Sequence, residues 1–324
     1  MFQLIELQNL INKEIEQFNF NIKPTELYKP IKYILKGSGK RLRPVLTLMA
    51  CNLFCDDIKI ALKPAIGLEM FHNFTLLHDD IMDKADIRRN KPTVHKKWNN
   101  NVAILSGDAM MIKTYEFFFS LEPKTLAKVI QVFNTAALQV CQGQQYDMNF
   151  ETRIDVTSAE YIRMITLKTA VLLAASLKIG AITGGASTEN TDLLYNFGIN
   201  LGLAFQLQDD YLDVYGDVKT FGKQIGGDII SNKKTFLLIS ALENATCKTK
   251  NQLLNLIKTP DLEASKKIKD VTNIYNQLNI PLILKEKLNF YHRQALHNIS
   301  QVTVSEGRKK LLIQLSDKLL IREK

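Results

Sequence analysis

Twice in this chain an apolar helical run ends in the same acidic pattern. Asp79, Asp80 and Asp83 follow the apolar run Ala65–Met70 with Phe71, Phe74, Leu76 and Leu77, and Asp209, Asp210 and Asp213 follow the apolar stretch Leu201–Leu207. At helical pitch Asp79 and Asp83 lie one turn apart on one face with Asp80 beside them, and the second motif repeats that spacing. Nothing in folding favours the arrangement. Like charges about 4 Å apart repel by roughly 4 kcal/mol at an effective dielectric of 20, and acid at a helix C-terminus opposes the macrodipole. A hard cation relieves both, and oxygen-only ligands without a CxxC or HExxH pair suit Mg2+ better than zinc. One such cluster reads as a solvated helix face; two copies, each followed by a basic loop, do not.

Between these fixed points the chain has helical periodicity. Leu4, Leu7, Ile11 and Ile15 make one amphipathic stripe. A second helix is expected over Thr25–Leu35, stopped by Gly37-Ser38-Gly39, with Pro44 opening the next. Further helical patterns run near 43–55, 59–84, 102–120, 124–150, 158–182, 188–215, 234–246, 262–276, 281–299 and 306–322. No alternating β-branched run with a hairpin turn is visible. With 8 Pro and 15 Gly in 324 residues, the expectation is all-α: one domain over 1–324, a bundle of about ten helices. Three polar segments, 37–43, 86–101 and 216–233, adjoin helix ends and are the candidate functional loops.

The formal net charge of +9 admits a polyanionic partner. The basic residues are spread without a nucleic-acid-binding motif, so no nucleic acid partner is expected. Four cysteines without a CxxC pair point to a reduced, cytoplasmic protein with buried thiols. The N-terminal residues mix acids with apolar residues, unlike a signal peptide. Residues 169–182 form an apolar stretch too short to span a bilayer and broken by Lys178, so no transmembrane segment is expected.

In sequence, GSGKRLRP (37–44), HNFTLLHDDIMDKADIRR (72–89), GQQYD (143–147), LKTA (167–170), FQLQDDYLD (205–213) and FGKQIGGDIISNKKT (221–235) resemble the motifs of the trans-isoprenyl diphosphate synthases. They come in the family's order and cover most of the chain. The resemblance implies the all-α isoprenoid synthase fold, helices around a central cavity, usually as a homodimer. It implies head-to-tail condensation of isopentenyl diphosphate with an allylic diphosphate (dimethylallyl, geranyl or farnesyl), assisted by a cluster of about three Mg2+ ions.

Residue by residue, the resemblance makes Asp79, Asp83 and Asp209 metal ligands. Asp80, Asp210 and Asp213 act through metal-bound water or by orienting neighbours. Arg88, Lys168, Lys223 and Lys233 match positions that hold the allylic diphosphate. Lys40, Arg43, His72 and Arg89 match the metal-free pocket for isopentenyl diphosphate. Thr169 and Gln206 present oxygens to the developing allylic cation, Gln144 and Asp147 support the second metal cluster, and Asp228 orients Lys223 or metal water. The terminal Arg322, Glu323 and Lys324 resemble a tail that closes over the site. One departure is Asn90, where the family has Gly; Asn tolerates a left-handed backbone, so the turn is expected to survive. Trp98 is read as packing beneath this loop.

Product length is read from the residues before the first motif. Thr75 and Phe71 lie one and two turns below Asp79, roughly 6 and 12 Å by helical rise, and Phe74 stands on the adjoining flank. One aromatic floor without a two-residue insertion in the motif most resembles enzymes that stop at geranylgeranyl diphosphate (C20). Farnesyl diphosphate (C15) comes second and C30 or longer third; alternatively both phenylalanines are ordinary core residues. A terpene cyclase is disfavoured by the second aspartate motif and the 37–44 segment, and a catalytically silent partner subunit by the retention of every aspartate and of Lys40 and Arg43.

Overall fold

The computed structural model describes residues 2–37, 39–216, 225–259 and 262–320. The first helix, α1 (Leu4–Glu16), buries Leu7, Ile11 and Ile15, the stripe its periodicity predicts. It is followed by α2 (Thr25–Leu35) and α3 (Leu42–Phe54). Residues 44–51 of α3 are all buried, so this helix is enclosed by others on every side. The long helix α4 (Leu62–Met82) carries the first aspartate motif, with Asp83 as its C-cap. Then come α5 (Val94–Lys97), α6 (Asn100–Phe118) and α7 (Pro123–Glu151). Helix α8 (Ser158–Ile165) passes through one π-helical turn, Thr166–Ala170, into α9 (Val171–Thr183). The second motif closes α10 (Thr188–Tyr215), and helices at Gly227–Ile230, Phe236–Asn244, Cys247–Lys258, Ala264–Gln277, Ile280–Gln301 and Glu306–Leu320 complete the chain.

The chain divides into two compact units. The first comprises Met1–Phe133, Ser176–Asp192 and Thr303–Leu312 and contains the first motif; Asn134–Ala175, Leu193–Val302 and Ile313–Lys324 form the second, with the second motif. In the first, Phe71, Phe118 and Phe133 are fully buried, and the Phe133 ring meets the other two edge-on at 5.1 and 5.0 Å. In the second, the core runs from Phe150 and Tyr161 through Ala204 and Leu207 to Leu237, Ile274 and Leu284.

Four expectations need correction. A hairpin does occur: β1 (Ile87–Arg88) pairs antiparallel with β2 (Lys91–Pro92), Arg88 opposite Lys91. Strands this short carry no alternation for a sequence pattern to detect. Its two-residue turn, Arg89-Asn90, has φ of 52° and 59°, the left-handed pair that a two-residue hairpin requires. Asn90 thus fills the glycine position as expected. The helix Cys247–Lys258 is an addition: its apolar residues, Leu253, Leu254, Leu256 and Ile257, are confined to its C-terminal half, too short a run to show a helical period, and its Thr246 N-cap accepts from Thr249 N–H. Two of the four thiols, Cys141 and Cys247, are exposed. The stretch judged too short to span belongs to a 26-residue helical run, Ser158–Thr183, long and apolar enough by composition to cross a membrane. Of its most apolar window 67% is buried inside the protein, as in a core helix.

Candidate active site

In the first unit the site grows from the C-terminal half of α4. Asp83 N–H donates to the Asp79 carbonyl at 2.8 Å, so the helical turn persists through the motif and keeps Asp79 and Asp83 on one face. Asp80 is buried and Asp83 exposed. Arg88, on β1, reaches back to Asp80, Nε to Oδ1 at 2.6 Å. Burial pushes the Asp80 carboxyl up and the Arg88 charge opposes the shift.

Two turns before Asp79, His72 Nε2 lies 3.0 Å from Arg43 Nη1. Burial, then Arg43, Arg89, Arg88 and Arg41, drive the His72 pKa well below 6.5, so the imidazole is neutral. Arg43 is itself pushed down to about 10, chiefly by burial, with Glu69 opposing. Among the described residues its buried Nε has no hydrogen-bond partner. Arg89 lies across the backbone at Gly39, where a Cβ would come within 2.8 Å of its guanidinium, so a side chain there would displace the Arg89 tip. Arg41, Arg43, Arg88 and Arg89 therefore crowd around two buried carboxylates, Glu69 and Asp80, leaving an excess of positive charge for an anion.

Arg41 and Glu69 were not legible as site residues. Arg41 takes a left-handed φ of 51°, pairs with Glu69 at 2.8 Å, and donates to Asn12 Oδ1 and to the carbonyls of Leu35 and Gly37. It ties the 37–43 loop to α1, α2 and α4, and so fixes where Lys40 and Arg43 emerge. Trp98 packs edge-on against Tyr33 at 5.4 Å, and the Tyr33 hydroxyl donates to the Pro92 carbonyl, buttressing the hairpin.

In the second unit, Lys168 and Thr169 sit in the π-helical turn. Gly143 of α7 lets that turn come close, since a Cβ there would stand 2.2 Å from the Lys168 nitrogen. Lys168 Nζ meets Asp147 Oδ2 at 2.5 Å. Gln144, one turn before Asp147, is buried with both amide atoms unpartnered among the described residues. Thr169 Oγ1 donates to Gln206 Oε1 at 3.2 Å, and Gln206 Nε2 donates to Asp210 Oδ1 at 3.2 Å. Asp210 Oδ2 accepts from the Tyr161 hydroxyl at 2.5 Å and from Phe236 N–H at 3.2 Å. Burial and the Asp228 charge push Asp210 up to about 7, opposed by the Tyr161 hydrogen bond, Lys233 and Phe236 N–H. Asp213, also buried, accepts from Asp228 N–H at 3.0 Å, and Lys233 Nζ stands 3.8 Å from Asp228. Tyr161 is the residue sequence reasoning missed here: it lies 49 positions from Asp210, and nothing local marks it. Lys223 and the terminal Arg322, Glu323 and Lys324 lie outside the described residues.

Among the described residues no three metal-ligating side chains converge into a cage. Asp79 and Asp83 instead offer a carboxylate pair, the manner in which Mg2+ is held when substrate phosphates supply the remaining ligands. The aromatic segment below the motif splits. Phe71 is buried in the Phe133 cluster, while Phe74 is half-buried with its ring 4.7 Å from that of His78, and Thr75 Oγ1 donates to the His72 carbonyl.

An all-helical scaffold with carboxylate motifs closing two of its long helices defines a class, the isoprenoid synthase fold, and comparison with known proteins gives the family. The polyprenyl synthetase family model matches residues 24–277. The geranylgeranyl diphosphate synthase of Methanosarcina mazei is 42% identical over 223 residues, 68% of this chain and 69% of its own length. A solved geranylgeranyl pyrophosphate synthase superposes with a TM-score of 0.95 at 42% identity, covering 100% of both chains. The polyprenyl synthase of Caulobacter crescentus CB15, solved with calcium and isoprenyl diphosphate, superposes with a TM-score of 0.84 at 26% identity, covering 99% of this chain and 95% of its own. Relatives named geranylfarnesyl diphosphate synthase match as well. The chain belongs to the polyprenyl synthetase family and is a trans-prenyltransferase.

Proposed function

We propose that this enzyme condenses isopentenyl diphosphate head-to-tail with an allylic diphosphate to give geranylgeranyl diphosphate (C20) and inorganic diphosphate. The observation that carries the reading is the basic pocket around neutral His72, where Arg43 keeps a buried Nε, unpartnered among the described residues, beside an acidic helix end. A diphosphate is the ligand such a pocket accommodates, because guanidinium forks meet phosphate oxygens bidentately. Lys40, Arg43, His72 and Arg89 are assigned to isopentenyl diphosphate; Arg88, Lys168, Lys223 and Lys233 to the allylic diphosphate.

Divalent metal, Mg2+ with about three ions per site, is assigned to Asp79, Asp83 and Asp209, with Asp80, Asp210, Asp213 and Gln144 in support. When bound, it neutralises the leaving diphosphate as the allylic C–O bond ionises. The chain's own residues then do the rest. Lys168 adds positive charge at the leaving group, Thr169 and Gln206 turn oxygens towards the allylic cation, and apolar walls exclude the water that would quench it. The isopentenyl double bond attacks the cation, and the proton lost afterwards goes to the departed diphosphate.

Phe74 is assigned as the aromatic stop for the growing chain, with Thr75 above it and Phe71 behind. Homodimer formation is proposed through α6, which exposes Ile104, Leu105 (60%) and Ile112 (67%) along one side. Four cysteines without a CxxC pair support a reducing, cytoplasmic location. The test is radiolabelled isopentenyl diphosphate with dimethylallyl, geranyl and farnesyl diphosphates, with and without Mg2+, and chromatography of the dephosphorylated products. Mg2+-dependent C20 product is expected, and Phe74→Ala should lengthen it by at least one isoprene unit. No incorporation with any allylic partner would refute the function; an unchanged product from an active Phe74→Ala would move the stop elsewhere.

A further inference from the structure

Several threonines within the helices of this protein return their hydroxyl to the carbonyl one turn back. Thr47 does so to Arg43, Thr114 to Met110, Thr166 to Ile162 and Thr183 to Ile179. Thr169 behaves differently. It sits in the π-helical turn and donates sideways to Gln206 Oε1 on α10. The orientation of this bond is dictated from its far end. Both carboxylate oxygens of Asp210 face donors: Oδ2 the Tyr161 hydroxyl and Phe236 N–H, Oδ1 the Gln206 side chain. The Gln206 amide is accordingly seated with its NH2 group towards Asp210 Oδ1 and its carbonyl towards Thr169. Thr169 has one proton to give, and it goes to that carbonyl. The rest of its hydroxyl presents lone pairs.

We propose that Tyr161 is a positioning residue for the reaction: through Asp210 and Gln206 it locks the Thr169 hydroxyl as an acceptor facing the ionising allylic substrate. The inference rests on the proposed function, which places Thr169 at the developing cation. Without the lock the hydroxyl rotates, and for part of the time it turns its proton towards positive charge. The same geometry makes Asp210 an orienting group, since its oxygens are occupied by protein donors.

Tyr161→Phe deletes one oxygen and keeps the ring against Phe236. Its kcat should fall about tenfold, the cost of one hydrogen bond to a charged group. The KM for isopentenyl diphosphate and the Mg2+ concentration for half-maximal activity should stay within about twofold. The share of allylic substrate released as the prenyl alcohol should rise, because a less stabilised cation is captured by water more often. In a Thr169→Ala background the same substitution should cost less than about twofold, as expected when two residues act through one chain of bonds. Asp210→Asn provides a second variant should Tyr161→Phe fold poorly. It is isosteric, yet its NH2 group would force Gln206 to flip and Thr169 to accept, so it should lower kcat more than Tyr161→Phe and raise the alcohol fraction as well. Wild-type kcat and alcohol fraction in Tyr161→Phe, losses that multiply with Thr169→Ala, or a shifted Mg2+ requirement would each overturn the proposal. Absence of Mg2+-dependent condensation in the wild-type enzyme would instead overturn the function on which it rests.

Discussion

The two aspartate motifs share a spacing but differ in how the fold holds them. In the first, the middle residue Asp80 is compensated by a cation, Arg88, from a two-stranded hairpin, and the last residue Asp83 caps an exposed helix end. In the second, the middle residue Asp210 is held by a phenol, a backbone N–H and a side-chain amide, and the last residue Asp213 is buried, accepting from Asp228 N–H. The first motif thus ends at an exposed residue, Asp83. The second is part of the scaffold that positions its neighbours. Equal motifs therefore need not respond equally to substitution.

The largest effects should be shared and catalytic. Asp79→Ala and Asp209→Ala should each lower turnover on the order of 10^3-fold or more, because each removes a proposed metal ligand. The melting temperature of Asp79→Ala in EDTA separates loss of a metal ligand from loss of the fold. A variant that melted well below wild type without metal would show that Asp79 is structural. Next, the cations should separate. Arg43→Ala should raise the KM for isopentenyl diphosphate about tenfold, and Lys168→Ala should act on kcat and the allylic substrate. An Arg43→Ala enzyme impaired towards the allylic substrate alone would reverse the pocket assignment.

The comparison itself is tested by the last residue of each motif. Asp213→Ala leaves the Asp228 N–H without its acceptor and should lower stability by about 1–3 kcal/mol. Asp83→Ala should change it by no more than about 0.5 kcal/mol. Equal denaturant midpoint shifts for the two variants would dissolve the distinction drawn here.

A further effect concerns pH. His72 has a pKa well below 6.5 in the folded protein. As pH falls through about 6.5, the unfolded chain takes up a proton that folded His72 refuses, so stability present above that pH is lost below it. His72→Gln removes this contribution. The variant's stability relative to wild type should therefore improve on acidification, by at most about 1.4 kcal/mol per pH unit. Urea titrations of the two proteins between about pH 7 and 5 that run parallel would mean His72 titrates normally.

Much of this could be read from the chain. Local patterns repeat at helical period, so α1 to α4 and α6 to α10 were legible, as was the left-handed Asn90. What escaped was short in pattern: the Cys247–Lys258 helix, whose apolar residues lie in its C-terminal half, and a hairpin whose strands are two residues long. The Arg41–Glu69 tie and the Tyr161–Asp210 bond escaped for another reason. They join residues 28 and 49 positions apart, and no local spacing encodes that distance.

The sequence by itself determined the helical class, the two carboxylate motifs and the chemistry they can support, because periodicity and charge spacing are properties of neighbours along the chain. Only the tertiary structure decided which carboxylates are compensated by a cation and which by neutral donors, that His72 is neutral, and that Thr169 turns sideways to Gln206. Those properties depend on burial and on partners brought in from distant segments, and desolvation has no local signature.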